Sequence, residues 1–294
     1  MGTGNGFCVF LEFFMENIRT LMITYAYNIL GSYEDAKDIV QDAYVKLSGI
    51  AFETIDNKKA YMIRTVINLS INFKKRQKKI ISEYPGEWLP EPVATEKADT
   101  AITRKEVLSY SLMVLLENLN AKQRAVFILK EAFDYEHKEI AEVLDITEEN
   151  SRKIYSRAKL ELRESKPIDS AVIPTDYLDK YIEAIYKADT KRLENLLQED
   201  VTVISDGGGK ASAATRPISG RRPVTKFILG LIKKFYTGKR IRIDISSVNH
   251  QPALLYYNDD KLNNCQVFEF ENGTISGIYF IRNPDKLQSL EKKS

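Results

Sequence analysis

The side chains able to do chemistry are unevenly spread along the chain. Five of the six residues from Lys74 to Lys79 are basic: Lys74, Lys75, Arg76, Lys78 and Lys79. A second polar, cationic set, Arg152, Lys153, Ser156, Arg157 and Lys159, lies further on. Cations tracking along a helix neutralise nucleic-acid phosphates and release their counterions. Tyr61, Arg64, Asn68 and Asn72 precede the basic run and offer stacking and base-edge hydrogen bonds. Acid–base groups are sparser. Asp206, Asp244, His250 and the tyrosines are the candidates, but Asp244 reads as a strand-surface residue and His250 as part of a turn before Pro252. Asp206-Gly207-Gly208-Gly209-Lys210 is not a nucleotide-binding P-loop. Lys210 is followed by Ala211, and no glycine stands five residues before Gly209. Its glycines instead let a loop take positive φ and dock elsewhere. Two cysteines (Cys8, Cys265) and two histidines (His137, His250) exclude a disulfide framework and a four-ligand zinc site. The chain is therefore expected to bind rather than catalyse, with no catalytic residue, metal or cofactor.

The elements that must position these groups follow from periodicity. Leu21, Met22, Tyr25, Ala26 and Ile29 give a helix over 18–30, punctuated by Gly31 and Ser32. A second helix over 33–47 puts Ala36, Ile39, Val40, Ala43, Tyr44 and Leu47 on one face, with Glu34, Asp35, Asp38 and Asp42 pointing elsewhere. A loop at 48–57 leads to a helix over 58–79 that ends in the basic run. Amphipathic helices are predicted over 106–118 and 121–132. A short helix around Ile140–Leu144, the turn Asp145-Ile146-Thr147 and a helix to about Arg163 then make a helix-turn-helix, the geometry that reads a major groove. Asp145 stands where Gly is usual, and Ser151 where an apolar residue is common. After residue 174 the pattern is α+β. Helices are predicted at 177–186, 190–198 and 224–236, and strands at 201–205, 241–248, 253–257, 265–270 and 275–281. Asn272-Gly273 marks a hairpin.

Composition frames this reading. The 294 residues carry 43 basic and 41 acidic side chains and are 44% hydrophobic, as in an ordinary globular protein. The near-zero total averages over unlike segments. Residues 82–99 hold three prolines and five acids, the composition of a flexible linker. No apolar run approaches a membrane span, and no basic region precedes the short apolar N-terminus as a signal peptide would require. A cytoplasmic protein with no membrane partner is expected.

With these segments in view, Tyr27–Ser32, Asp35–Asp42 and the 61–76 helix resemble region 2 of extracytoplasmic-function RNA polymerase sigma factors, and 106–163 resembles their region 4. The order and spacing match as well. The resemblance implies that Asp35, Asp38, Gln41 and Asp42 bind the β′ clamp of core RNA polymerase, with the β flap as a further contact. It implies that the 48–57 loop and Tyr61, Arg64, Asn68, Asn72, Lys74, Lys75 and Arg76 open and hold the −10 element, capturing an extruded base near Asn68. Arg152, Lys153, Ser156, Arg157 and Lys159 would read the −35 element. Both double-stranded and melted promoter DNA are thus implied as partners.

Three further motifs resemble a subgroup with a fused SnoaL-like C-terminal domain: Trp88-Leu89-Pro90-Glu91-Pro92, Asp206-Gly207-Gly208-Gly209-Lys210 and Asn283-Pro284-Asp285-Lys286-Leu287. The resemblance implies a regulatory role for Trp88, Leu89, Pro90, Asp206 to Lys210 and Asn283 to Leu287, through an intramolecular contact of the C-terminal domain with the sigma core or linker. The expected architecture is multidomain: two all-α DNA-binding domains, the second a helix-turn-helix, and a C-terminal α+β SnoaL-like cone. The segments are 10–80 (region 2), 81–105 (linker), 106–166 (region 4) and 174–294 (regulatory domain). The rival readings are a helix-turn-helix regulator with a ligand-binding tail and a SnoaL-like enzyme with a helical appendage.

Overall fold

The computed structural model describes residues 4–48, 55–95, 102–163, 176–236 and 240–291. Most of the 48–57 loop expected to open promoter DNA lies outside them. Helices α1 (Gly4–Leu30), α2 (Tyr33–Ser48) and α3 (Lys58–Ser82) come first. Gly31, at φ 76°, ends α1, and Ser32 starts α2 by accepting the Asp35 amide at 3.2 Å. Asn57 does the same for α3, accepting the Ala60 amide at 3.0 Å.

The chain then departs from the continuous helix expected over 106–118. It forms a 3₁₀ turn at Arg104–Glu106, α4 (Tyr110–Leu115) and a second 3₁₀ turn at Leu116–Asn118. The break has a cause. The Leu108 amide donates to Asn28 Oδ1, and the Ser111 amide donates to Gln251 Oε1 at 2.6 Å, so neither serves a helical ladder. Helices α5 (Ala121–Glu131), α6 (His137–Leu144) and α7 (Glu148–Arg163) follow as expected. Asp145 ends α6 in the left-handed conformation (φ 52°, ψ 58°), the role usually given to Gly. Buried Ser151 bonds His137 Nδ1 at 3.0 Å, so the unusual polar residue of α7 has a buried partner.

Contacts divide the chain into two compact units: residues 1–80, 98–108 and 115–165, and residues 81–97, 109–114 and 166–294. These boundaries differ from the expected segments. The 81–105 linker is split between the units, and 109–114, within the expected 106–166 segment, groups with the C-terminal unit.

The second unit contains α8 (Tyr177–Tyr186), α9 (Thr190–Leu196), α10 (Arg221–Leu231, continued by a π turn to Tyr236) and α11 (Pro284–Leu287). Its strands are β1 (Leu197–Asp206), β2 (Ile218–Ser219), β3 (Ile241–Val248), β4 (Gln251–Asn258), β5 (Lys261–Glu271) and β6 (Thr274–Ile281). The sheet order is β2-β1-β6-β5-β4-β3, with β1 parallel to β6 and the other pairs antiparallel. Three two-residue turns join β3 to β6: Asn249-His250, Asp259-Asp260 and Asn272-Gly273. All six residues lie at positive φ, as type I′ hairpins require. Register shifts at Tyr256/Tyr257 and Glu269/Phe270 bend the middle strands, and the bent sheet wraps α8, α9 and α10 as the expected α+β cone.

Both faces of the sheet's middle strands are buried. The helices cover one through Tyr181, Leu193, Val224 and Ile228 against Leu254, Phe268 and Phe280. The other is covered by chain read as linker and tail: Leu89, Ala94, Tyr110, Leu287 and Leu290 lie against Leu255, Val267, Tyr279 and Ile281. Residues 89–95 are buried throughout. The expectation of a flexible linker is therefore corrected. Its prolines suit an extended segment on a sheet rather than a free tether. The pairing is specific, with Ala94 bridging Val248 and the Asn249 amide donating to the Val93 carbonyl at 2.9 Å.

Candidate functional site

On α2, alternate stripes separate core from surface. Asp38, Gln41 and Asp42 are exposed, and Val45 joins them, one turn on, at 69% exposure. Asp35 stands apart. It is half-buried, accepts a hydrogen bond from Gln77 Nε2 at 3.1 Å, and burial pushes its carboxyl above the usual range. Val45 was not among the expected residues. Its signal was available, since it falls at i+7 from Asp38 on the face turned from the core.

On α3, Tyr61, Arg64, Asn72, Lys75 and Arg76 are exposed along the helix. Asn68 is half-buried and donates to the Val143 carbonyl of α6 at 3.1 Å. Lys74 corrects the expectation of a phosphate contact. It is 7% exposed and donates to the Leu30 carbonyl at 2.9 Å and to Glu117 at 2.7 Å. Glu117 also pairs with fully buried Arg124, whose Nε donates to the Asn28 carbonyl at 3.0 Å. Burial alone would raise the Glu117 carboxyl, but Arg124 and Lys74 outweigh it and hold it below its ordinary range. The side chains of Lys78 and Lys79 lie outside those described.

On α7, Arg152, Lys153, Ser156, Arg157 and Lys159 are all exposed, with Leu160 beside them. Arg152 pairs with Glu148, and Lys153 with Glu149 at 2.6 Å, each one turn back. Exposed pairs of this kind contribute little, so little holds these cations to Glu148 and Glu149. Residues expected to touch DNA thus occupy two helices of the same unit, with Asn68 already bonded across to the helix-turn-helix.

The three remaining motifs meet at Asp206, 1% exposed at the end of β1. Its Oδ1 accepts from the Tyr84 hydroxyl at 2.7 Å and the Gly208 amide at 2.9 Å. Its Oδ2 accepts from the Leu89 amide at 3.0 Å and from Lys286 Nζ at 2.6 Å. Lys286 also donates to the Leu89 carbonyl and lies 4.1 Å from the Trp88 ring centroid. Asn283 donates to the Tyr84 hydroxyl at 3.0 Å and caps α11 by accepting the Asp285 amide at 3.1 Å. The Pro90 carbonyl accepts from the Tyr110 hydroxyl at 2.7 Å. Lys210 pairs with Asp285, and Gly209 lies against Pro85. Gly208 is required here. Its φ is 60°, and a Cβ would come within 2.3 Å of Asn283. Burial and the Asp206 carboxylate push the Tyr84 phenol up, so it stays a donor. Tyr84 was not foreseen, because nothing in its local spacing marks it.

The candidate acid–base groups do not converge. Asp206 is bound as above, Asp244 pairs with Arg242 on edge strand β3, and His250 is exposed in a hairpin turn. Inside the cone, Gln266 accepts from Tyr181 at 3.3 Å and Tyr256 at 3.1 Å. The space beside it is only ≈ 10 Å³. Among the described residues no group of histidine, cysteine or acids is placed to hold a metal, and no helix is long and apolar enough to cross a membrane.

Residues 14–80 match the model of sigma-70 region 2, and residues 109–162 that of sigma-70, region 4. Over 230 residues the chain is 30% identical to the ECF RNA polymerase sigma factor SigJ of Mycobacterium tuberculosis, covering 76% of this chain and 73% of that protein. The chain belongs to the extracytoplasmic-function RNA polymerase sigma factors. It is also 32% identical over 161 residues to the RNA polymerase sigma-E factor of Streptomyces coelicolor, covering 51% of this chain and 84% of that one. The crystal structure of Mycobacterium tuberculosis SigJ aligns with 94% of this chain and 97% of its own at a TM-score of 0.75 and 27% identity. As a sigma factor, the chain works with core RNA polymerase and promoter DNA in transcription initiation.

Proposed function

We propose that this sigma factor is controlled in cis by its C-terminal unit, which holds the segment joining regions 2 and 4. The observation that carries this reading is the Asp206 site, where one buried carboxylate accepts from the linker (Tyr84, Leu89), its own loop (Gly208) and the tail (Lys286). Residues 81–97 and 109–114 both belong to the C-terminal unit, so the chain leaving region 2 and the first helix of region 4 are both tied to it. A fused regulator acts at high effective concentration without a separate inhibitor.

In this reading Asp38, Gln41 and Asp42, with Val45, meet the polymerase β′ clamp. Tyr61, Arg64, Asn68, Asn72, Lys75 and Arg76 hold the melted −10 element, and the α7 face reads the −35 element with help from the β flap. Lys74 and Glu117 close region 2 on region 4, and polymerase binding releases them. The chain acts by binding rather than by catalysis, and in the cytoplasm.

The test is initiation by core polymerase and the full chain on a two-element promoter. The wild type starts transcription, and Lys286→Gln changes promoter output while leaving co-purification with core unchanged. Equal output from both proteins would remove control in cis. Failure to co-purify and to start at any promoter would remove the assigned contacts.

A further inference from the structure

Between α10 and the loop after β1, the C-terminal unit carries an open groove of ≈ 540 Å³. That is the size of a small-molecule site, commonly about 300–1,000 Å³. Its apolar wall includes Pro223, Phe227 and Leu231, and three cations, Lys226, Lys234 and Arg282, line it as well. No acidic side chain is among the described residues that line it. Three cations around an apolar wall select a ligand with the opposite charge and an apolar body.

Gly230 supplies an independent observation. It stands at helical spacing between Lys226 and Lys234, and it faces the same groove. Glycine is among the least favourable residues at a helical position, yet nothing local requires it. Its backbone is not left-handed, and a Cβ built there meets nothing within 4 Å. The missing side chain leaves the groove open along the stripe between the two lysines.

The groove also borders the regulatory loop. Arg282 donates to the Ser212 carbonyl, and its own amide donates to the Asp206 carbonyl at 2.8 Å. Ser205 lines the groove, whereas the next residue, Asp206, sends its carboxylate to the linker. Successive strand residues face opposite ways.

We propose that this groove binds a small amphiphilic carboxylate, its head between Lys226 and Lys234 and its hydrocarbon body over Phe227 and Leu231. The assignment does not depend on how the chain acts on transcription.

The test is calorimetric titration of the full chain with octanoate, octanol and octylamine. Octanoate is expected to bind in preference to the other two. The double variant Lys226→Glu/Lys234→Glu is expected to weaken octanoate binding by roughly tenfold or more and to favour octylamine instead. Gly230→Leu, which fills open space and improves helix propensity, is expected to abolish binding without lowering the melting temperature. Equal binding of the three octyl compounds, no octanoate binding by the wild type, or wild-type affinity in both variants would overturn the proposal. Because Gly230→Leu leaves every charge in place, its loss of binding is separable from any misfolding of the charge-reversed protein.

Discussion

Glu117 in the helical unit and Asp206 in the C-terminal unit are both carboxylates drawn out of water, but they are satisfied differently. Glu117 is held by two cations, Lys74 and Arg124, which have carbonyl partners of their own in Leu30 and Asn28. Asp206 has one cation, one phenol and two backbone amides. The first arrangement is mostly charge, and its directional demands are modest. The second fixes four directions at once and joins three segments far apart in sequence. A charge cluster suits an interface that must open, since on separation Lys74 keeps the Leu30 carbonyl and Arg124 keeps Glu117. A hydrogen-bonded carboxylate suits a junction that must hold one geometry.

Substitutions sharpen this contrast. Asp206→Ala takes the acceptor from the Leu89 and Gly208 amides and from the Tyr84 hydroxyl and breaks the Lys286 pair, and should destabilise the C-terminal unit by about 3–5 kcal/mol, the range for breaking a buried ion pair. Chemical denaturation of the full chain measures it. Glu117→Ala should fall at the lower end, about 3 kcal/mol, with the loss confined to the helical unit. If the order of the two is reversed, the retained carbonyl partners of Lys74 and Arg124 do not soften the break as argued. Gly208→Ala meets both a positive φ and Asn283, and should lose about 1–3 kcal/mol. Lys75→Ala and Arg76→Ala should change stability by no more than about 0.5 kcal/mol. Each should lower the salt dependence of DNA binding by about one counterion, whereas Lys74→Ala should act mainly on stability.

Acid tests the Glu117 cluster in another way. The folded Glu117 carboxyl lies below its ordinary value of 4.5, so it contributes fully above that pH and loses its contribution as pH falls through the folded value. The stability difference between wild type and Glu117→Gln should therefore be constant near neutrality and shrink below about pH 4.5. A difference that grows on acidification would contradict the pairing.

The helical regions were legible because their signals are local. Apolar periodicity located α2, α3 and α5 to α7, and Asp145 was readable as the left-handed residue that ends α6. The exposed cations of α7 followed from the same stripes. Strands β1 and β3 to β6 were legible, though the short β2 was not, and Asn272-Gly273 was legible by turn chemistry, but Asn249-His250 and Asp259-Asp260 use less usual residues for the same two positive φ values. What local spacing could not show was burial decided at a distance. Lys74 looks like its neighbours Lys75 and Arg76, and only the approach of Glu117 takes it out of water. The prolines and acids of 82–99 read as solvated linker, yet the apolar residues among them, Leu89 and Ala94, cover a sheet whose second face would otherwise be exposed. The near-continuous burial of β5 is the trace of that second cover.

The central claim is that the segment between regions 2 and 4 is a structural part of the C-terminal unit. Amide hydrogen exchange of the full chain tests it most directly, read at Leu89, Asn249 and Thr95, whose amides donate to Asp206, Val93 and Ser247. The account predicts protection at these amides comparable to that of β5, and its loss at Leu89 in Lys286→Gln before β5 is affected. Exchange at the rate of an open loop in the wild type would contradict it.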